Sequence, residues 1–261
     1  MKAVQFNNYG EVSKNVVIAK IEKPTISKNE VLIETYAAGV NPLDYKIVEG
    51  ALKRALKFKL PTTLGYDISG KIVAIGDNVN GFKIGDDVFS RVSKMGTFAE
   101  FVAVNQNLIS IKPKNTTFEE AASLPLVGLT AMQTLKRGKL KANDKILIHA
   151  GSGGVGSFAI QYAKSQGAYV YTTTSTDNVE WVKALGTDRV IDYKTEDYKT
   201  IVKDADVVLD TLGNKYTEDA FKVIKNGGKV ITLVGPVDKE TAKRMKLNKI
   251  LQLFLAFKRR K

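Results

Sequence analysis

The sequence predicts an α/β chain of two textures, a β-rich first part followed by alternating strands and helices. Three observations carry this. Short β-prone runs separated by glycines fill residues 1 to about 115. From residue 145 onward, strand-like and helix-like segments alternate. A glycine-rich turn, Gly151-Ser152-Gly153-Gly154-Val155-Gly156, stands between the first of those strands and the first of those helices. With 261 residues, the chain has room for one large or two small domains at about 100–200 residues each.

In chain order, residues 1–6 already read as a strand, and residues 31–36, 71–75 and 98–104 are further β-prone runs. Gly65, Gly70, Gly76, Gly81, Gly85 and Gly96 punctuate them. Many short strands with glycine turns predict a barrel or a sandwich. Residues 115–120 read as a helix start, because a threonine three residues before a glutamate resembles a capping box. Residues 145–149 are a buried-strand pattern and 155–166 a helix. Residues 168–173 are the next strand, and 178–185 a helix stopped by Gly186. A short strand at 190–191 and strands at 206–210 and 229–234 follow, with a helix at 215–224 between the last two. This order predicts a parallel sheet with helices on both faces. The division falls near residue 120, giving domains 1–120 and 121–261.

Composition excludes several chemistries. Hydrophobic residues at 44% and charged residues at 26% are ordinary for a soluble globular protein. There is no cysteine, which removes disulfides, thiolate zinc sites and cysteine nucleophiles. There is one histidine, His149, so a polyhistidine metal site cannot be built. The net charge of +13 attracts anions, which phosphorylated cofactors, nucleic acid and acidic membranes all satisfy. No aromatic-and-basic recognition motif accompanies the charge, so no nucleic-acid partner is expected. The apolar stretch at 250–257 is interrupted by Gln252 and falls far short of the roughly 20 residues of a membrane span. No targeting segment is visible, and the expected location is cytoplasmic.

The glycine turn fits G-x-G-x-x-G in the context that dinucleotide binding requires, after a strand and at the start of a helix. Gly151 permits the tight turn, Gly153 lets a pyrophosphate approach the backbone, and Gly156 allows close helix–strand packing. The helix start supplies free N–H groups and partial positive charge for the anion. An NAD site usually carries an acidic residue about 20 residues into the unit, on the ribose hydroxyls. That position falls at Thr174-Ser175, where there is no carboxylate. This favours NADPH, with NADH as the alternative. Asp177 lies slightly late and reads as a cap for the following helix. His149, at the end of the first strand, reads as a packing residue under the turn rather than a catalytic one.

The two halves together resemble the medium-chain dehydrogenase/reductase superfamily, in its zinc-free quinone oxidoreductase branch. The matching stretches are residues 38–44, with Asn41-Pro42-Leu43-Asp44, then 64–70, with Gly65-Tyr66-Asp67, then 85–89, 128–131, 149–156 and 190–193. The resemblance implies a GroES-like β-barrel domain followed by a Rossmann doubly wound parallel sheet, with the active site in the cleft between them. Zinc-dependent relatives hold the catalytic metal through a cysteine and a histidine in the first two stretches. Asn41 and Tyr66 stand at those places here, and no metal is expected.

Without zinc as a Lewis acid, hydride must go to an acceptor that is already electrophilic, such as a quinone or an α,β-unsaturated carbonyl. The resemblance therefore implies an NADPH-dependent quinone or enone oxidoreductase. Asn41, Asp44 and Tyr45 are its substrate-side candidates, with Tyr66 a second candidate proton donor. It places Gly153, Gly154 and Val155 at the pyrophosphate, Thr130 near the nicotinamide, and Ser175 and Tyr193 near the 2′-phosphate. Asn178 stands where relatives often carry a basic residue. The alternative from another class is a non-catalytic NADPH-binding protein. Family chains normally continue past this length with a final strand used for dimer formation. The resemblance thus implies a sheet that lacks its usual C-terminal strand, with 230–234 at an exposed edge. It also implies self-association as a homo-oligomer through an ending that carries Leu251, Leu253, Phe254 and Phe257.

Overall fold

The glycine-separated runs of the first half pair into two antiparallel sheets. The protein is described by a computed structural model covering residues 1–53 and 56–234, and it divides into one unit from Met1 to Leu126 and another from Val127 onward. The first unit begins with β1 (Lys2–Phe6), α1 (Val12–Asn15), β2 (Val16–Lys20), β3 (Glu30–Gly39) and α2 (Pro42–Val48). It continues with β4 (Thr62–Thr63), β5 (Asp67–Ile75), β6 (Asp87–Arg91), β7 (Phe101–Asn105), β8 (Ile109–Ile111) and α3 (Phe118–Ser123). One sheet has the order β2-β1-β4 and the other β7-β3-β5-β6-β8. Phe6, Ile33, Ile47, Ile68, Ile72 and Val88 form the buried core of this unit. The β3–β5 ladder runs from Val31 opposite Ile75 to Gly39 opposite Asp67. Its last pair brings the start of α2 beside the start of β5.

Two expectations need correction here. Gly70 is not a turn residue; it lies inside β5, where an added Cβ would stand 2.0 Å from the Glu34 carbonyl oxygen. A glycine is needed there for close strand approach. The run expected at 98–104 enters its ladder only at Phe101. The preceding residues are taken by β1: Val4 N–H donates to the Phe98 carbonyl at 2.8 Å, and Ala99 bridges Ala3. The capping box forms as expected, with Glu120 N–H donating to Thr117 Oγ1 at 3.1 Å and Thr117 N–H to Glu120 Oε2 at 2.8 Å.

After α4 (Pro125–Gly138), the second unit alternates as the sequence predicts: β9 (Lys145–Ile148), α5 (Gly154–Ser165), β10 (Tyr169–Thr174), α6 (Val179–Ala184) and β11 (Arg189–Asp192). Then come α7 (Tyr198–Ile201), β12 (Ala205–Asp210), α8 (Lys215–Val223) and β13 (Ile224–Thr232). All pairings in this sheet are parallel, in the order β11-β10-β9-β12-β13. Ile146 and Ile148 pack on one face with Ile160 and Ala163, while Leu147 packs on the other with Ala220 and Val223. A strand alternates its side chains between faces, so burial on both sides reads as an unbroken apolar run.

β13 begins five residues before the expected strand at 229–234 and ends at Thr232. Its pairing with β12 jumps between Ala205–Ile224 and Val207–Lys229, and Gly227 sits between at φ +80°. A bulge with glycine in the left-handed region joins what the sequence shows as two segments. Among the described residues β13 pairs only with β12, at the sheet edge. The ending that carries Leu251 to Lys261 lies outside the described residues. No helix of the described residues is long and apolar enough to cross a membrane.

Candidate active site

The sheet order reverses at β9, with β10 on one side and β12 on the other. In an open α/β sheet, ligands bind beyond the carboxyl ends of the strands at such a point. The glycine turn occupies this place. At Gly151 an added Cβ would stand 2.2 Å from Thr172 Oγ1, and at Gly156 it would stand 2.2 Å from the Ala150 carbonyl oxygen. Packing within the protein therefore demands glycine at both. At Gly154 the nearest atom is Val127 Cγ1 at 3.0 Å, which a small shift accommodates. Gly153 is different: its nearest neighbour would be 3.4 Å away, an ordinary contact, and its φ of −79° suits any residue. The protein leaves this position open. Gly153 is also the N-cap of α5, whose first N–H groups, including that of Val155, lack partners within the helix. An open cradle at the tip of a twelve-residue helix fits a pyrophosphate.

Beside the turn lies a cavity of about 330 Å³, lined by Ser152, Ser175, Tyr193, Leu212 and Tyr216 among others. Ser175 follows β10, and Tyr193 follows β11 with its N–H donating to the Thr174 carbonyl at 3.1 Å. The structure thus brings Ser175 and Tyr193 together on the glycine turn. Asn178 Nδ2 donates to Ser175 Oγ at 2.8 Å, and Trp181 Nε1 donates to Asn178 Oδ1 at 2.8 Å. Asp177 is not a helix cap: it lies in the 3₁₀ turn Thr176–Asn178, and Asn178 is the N-cap of α6. Thr130 stands on α4, one turn beyond Val127, and its carbonyl accepts from Thr134 Oγ1 at 2.6 Å. It does not line this cavity.

His149 is fully buried under the turn. Its Nδ1 lies 3.1 Å from Thr173 Oγ1, and the rings of Tyr198 and Tyr216 meet it edge-on at 4.8 and 5.2 Å. Burial pushes its pKa down to about 4, against the opposing charge of Asp210. At neutral pH it is an uncharged packing residue.

A second polar group forms in the first unit. Asn41 is the N-cap of α2 with Pro42 behind it at the first helical position, where a missing N–H costs nothing. Asn41 N–H donates to Asp44 Oδ2 at 2.7 Å, and Asn41 Nδ2 donates to Asp67 Oδ2 at 2.9 Å. All three side chains are buried, and so is Tyr66, with the Arg91 guanidinium 5.2 Å over its ring. One carboxylate oxygen each of Asp44 and Asp67 has no hydrogen-bond partner. Burial raises the Asp44 carboxyl above its usual range, against the Asn41 N–H. It pushes Asp67 up to about 6, against the Asn41 amide and the Leu126 N–H. Tyr45 is the exception among the expected substrate-side residues: it is 44% exposed and does not join the group. Adjacent helix positions point about 100° apart, so burying Asp44 turns Tyr45 outward.

The donor set does not suit zinc. The Asn41 amide is committed to Asp67 and Tyr66 is a buried phenol, and neither is a sulfur or imidazole donor of the kind zinc prefers. Among the described residues, no three His, Cys, Asp or Glu side chains converge as a metal site would need.

Asp67 was not singled out from the sequence, although an acidic residue at the start of an otherwise apolar strand is a usable signal. Its raised pKa means the folded state holds this proton more tightly than the unfolded chain does. The resulting stabilisation is complete below about pH 4 and is lost as pH rises through about 6. Asp67→Asn is expected to remove this loss, on the order of 3 kcal/mol, in denaturant unfolding measured across that range. A slope unchanged by the substitution would place the carboxyl in water.

Comparison with known proteins agrees with both halves of this description. The family model for an alcohol dehydrogenase GroES-like domain matches residues 27–114, and that for a zinc-binding dehydrogenase matches residues 154–259. The solved quinone oxidoreductase of Coxiella burnetii is 34% identical, with a TM-score of 0.84, and the match covers 98% of this chain and 86% of that one. The chain belongs to the medium-chain dehydrogenase/reductase superfamily, in its quinone oxidoreductase branch. As a member of that branch, it carries a GroES-like first domain and a Rossmann second domain. The 2-methylene-furan-3-one reductase of Solanum lycopersicum is 39% identical over 247 residues. The chloroplastic NADPH-dependent alkenal/one oxidoreductase of Arabidopsis thaliana is 40% identical over 247 residues. Each match covers 91% of this chain but only 63% of the relative, so the chain spans just under two thirds of their length.

Proposed function

We propose that this reductase-family chain transfers hydride from NADPH to a quinone or an α,β-unsaturated carbonyl without zinc. The carrying observation is the polar group of the first unit, where an amide and a phenol replace zinc donors. The names of the two plant relatives, one an enone-type reductase and one an NADPH-dependent alkenal/one oxidoreductase, support the same chemistry. NADPH, when bound, supplies the hydride. Gly153, Gly154 and Val155 hold the pyrophosphate; Gly151 and Gly156 shape the turn that presents them. Ser175, Asn178 and Tyr193 receive the 2′-phosphate, and Thr130 serves the nicotinamide end. Asn41 gives one amide hydrogen to Asp67 and keeps the other for the acceptor oxygen, where negative charge develops. Asp44 and Asp67 fix that amide. Tyr45, on the exposed side of α2, and the buried Tyr66 are the two candidate proton donors. Residues 1–120 form the substrate-side domain and 121–261 the dinucleotide domain. Homo-oligomeric assembly, a cytoplasmic location and the lack of a nucleic-acid partner belong to the same reading, and sedimentation, fractionation and a salt titration with nucleic acid check them.

Consumption of NADPH with a panel of quinones and enones, after exhaustive chelation, tests the proposal. Turnover that survives chelation is expected. NADPH binding without turnover would leave a non-catalytic binding protein, and activity restored only by zinc would contradict the donor-set reasoning. Cofactor choice has its own check. Ser175→Asp places a carboxylate against the 2′-phosphate and is expected to lower the NADPH-to-NADH affinity ratio by at least about tenfold, or ~1.4 kcal/mol. An unchanged ratio would show that Ser175 does not meet the 2′-phosphate.

A further inference from the structure

From Ser175, at the wall of the cavity beside the glycine turn, a hydrogen-bond chain leads away from the cavity with only one consistent direction. Indole Nε1 can donate and cannot accept. Trp181 Nε1 therefore requires the oxygen of the Asn178 amide, at 2.8 Å, and the amide nitrogen must face the other way. That nitrogen lies 2.8 Å from Ser175 Oγ, which has to accept. A hydroxyl that accepts from a donor cannot also point its own hydrogen at it. Ser175 lines the cavity, and Asn178 and Trp181 do not. The only hydrogen left to Ser175 is thus directed away from Asn178, where an anionic oxygen would accept it.

We infer that Trp181 is a positioning residue for cofactor choice: through Asn178 it sets the Ser175 hydroxyl as a donor to the 2′-phosphate. This rests on the NADPH reading above and deepens it. An unconstrained serine can turn its hydrogen or its lone pairs toward a ligand, and so serves a phosphate and a ribose hydroxyl alike. The chain Trp181–Asn178–Ser175 occupies one of the two lone pairs and leaves the hydrogen free, which biases the hydroxyl toward the stronger acceptor, an anionic oxygen. It offers a hydrogen-bonded means of favouring a phosphate at a place where, among the described residues, no lysine or arginine side chain lines the cavity. Asn178 fills this role because an amide carries an acceptor and a donor on opposite arms. Lysine at the same place could not accept from Trp181.

The test measures dissociation constants for NADP⁺ and NAD⁺ by calorimetry in the intact chain. Trp181→Phe keeps the ring and removes the donor. It is expected to lower the NADP⁺-to-NAD⁺ affinity ratio by about fivefold, the size of one net hydrogen bond. Ser175→Ala should lower it similarly, and Trp181→Phe should have no further effect in the Ser175→Ala background. Asn178→Asp accepts from both neighbours, turns the Ser175 hydrogen inward and adds charge. It is expected to lower the ratio more than tenfold.

Equal losses for both cofactors in Trp181→Phe would mean a merely structural role and would overturn the inference. So would additive effects of the Trp181 and Ser175 substitutions on the ratio. Should Trp181→Phe fail to fold, as read by circular dichroism, Asn178→Asp decides by the same ratio. A wild-type chain that binds NAD⁺ as tightly as NADP⁺ would overturn the NADPH reading itself. A wild-type preference that survives every variant would overturn only the positioning role.

Discussion

Replacing Gly153 with valine is expected to leave the fold intact and to weaken NADPH binding about 100-fold, or ~2.7 kcal/mol. The backbone at this position is extended, at φ −79° and ψ 162°, so a β-branched residue is not strained there. An added Cβ meets nothing of the protein closer than 3.4 Å, so the new side chain projects into the space given to the pyrophosphate. Gly156→Val is expected to behave in the opposite order, losing the fold first, because its Cβ would lie 2.2 Å from the Ala150 carbonyl oxygen. Paired thermal denaturation and NADPH titration separate the two. Normal binding by a folded Gly153→Val chain would mean that the pyrophosphate does not cross this turn.

His149 and Asp67, both buried, are expected to push stability in opposite directions with pH. His149, held down to about 4, is neutral in the fold while the unfolded chain takes up its proton near 6.5. Its stabilisation is complete above about pH 6.5 and is lost as pH falls through about 4, on the order of 3 kcal/mol. Asp67, pushed up to about 6, favours the fold over the same interval as pH falls. The intact chain should therefore show a shallow profile between pH 4 and 6.5, since two slopes of opposite sign overlap. Asp67→Asn should expose the histidine slope, with stability falling on acidification. His149→Phe, which keeps a ring between Tyr198 and Tyr216, should expose the aspartate slope. As His149 is the one histidine in the chain, its imidazole resonance can be followed directly. Titration near 6.5 would show that water reaches the ring.

The second domain was legible in the sequence because its physics is local. Strands buried on both faces are unbroken apolar runs, as in residues 146–148, and each is followed by a turn and a helix. The glycine turn was legible for the same reason, since its backbone demands fall within six residues. The first domain was less so. Gly70 and Gly81 look alike in the sequence, yet one makes room for Glu34 across a ladder and the other turns at φ +80°. Nothing within a few residues of Gly70 reports the strand that will lie against it. The same holds for Asp67, whose partner Asn41 is 26 residues away. That distance is closed only by the β3–β5 register. Tyr45 shows the converse. Its place next to the stretch 38–44 marks it for the site, but helix geometry decides which neighbour is buried, and α2 was not read from the sequence. Trp181 escaped because its role passes through Asn178 and not through any ligand.

Hydride is expected to go to an acceptor that is electrophilic without a metal. This is tested most directly by incubating the chelated protein with an enone and NADPH that carries deuterium at the transferable position of its nicotinamide. The account predicts deuterium on the carbon β to the carbonyl, with a saturated ketone as product. Deuterium on the carbonyl carbon of an allylic alcohol would mean polarisation of the kind zinc supplies, and would contradict it.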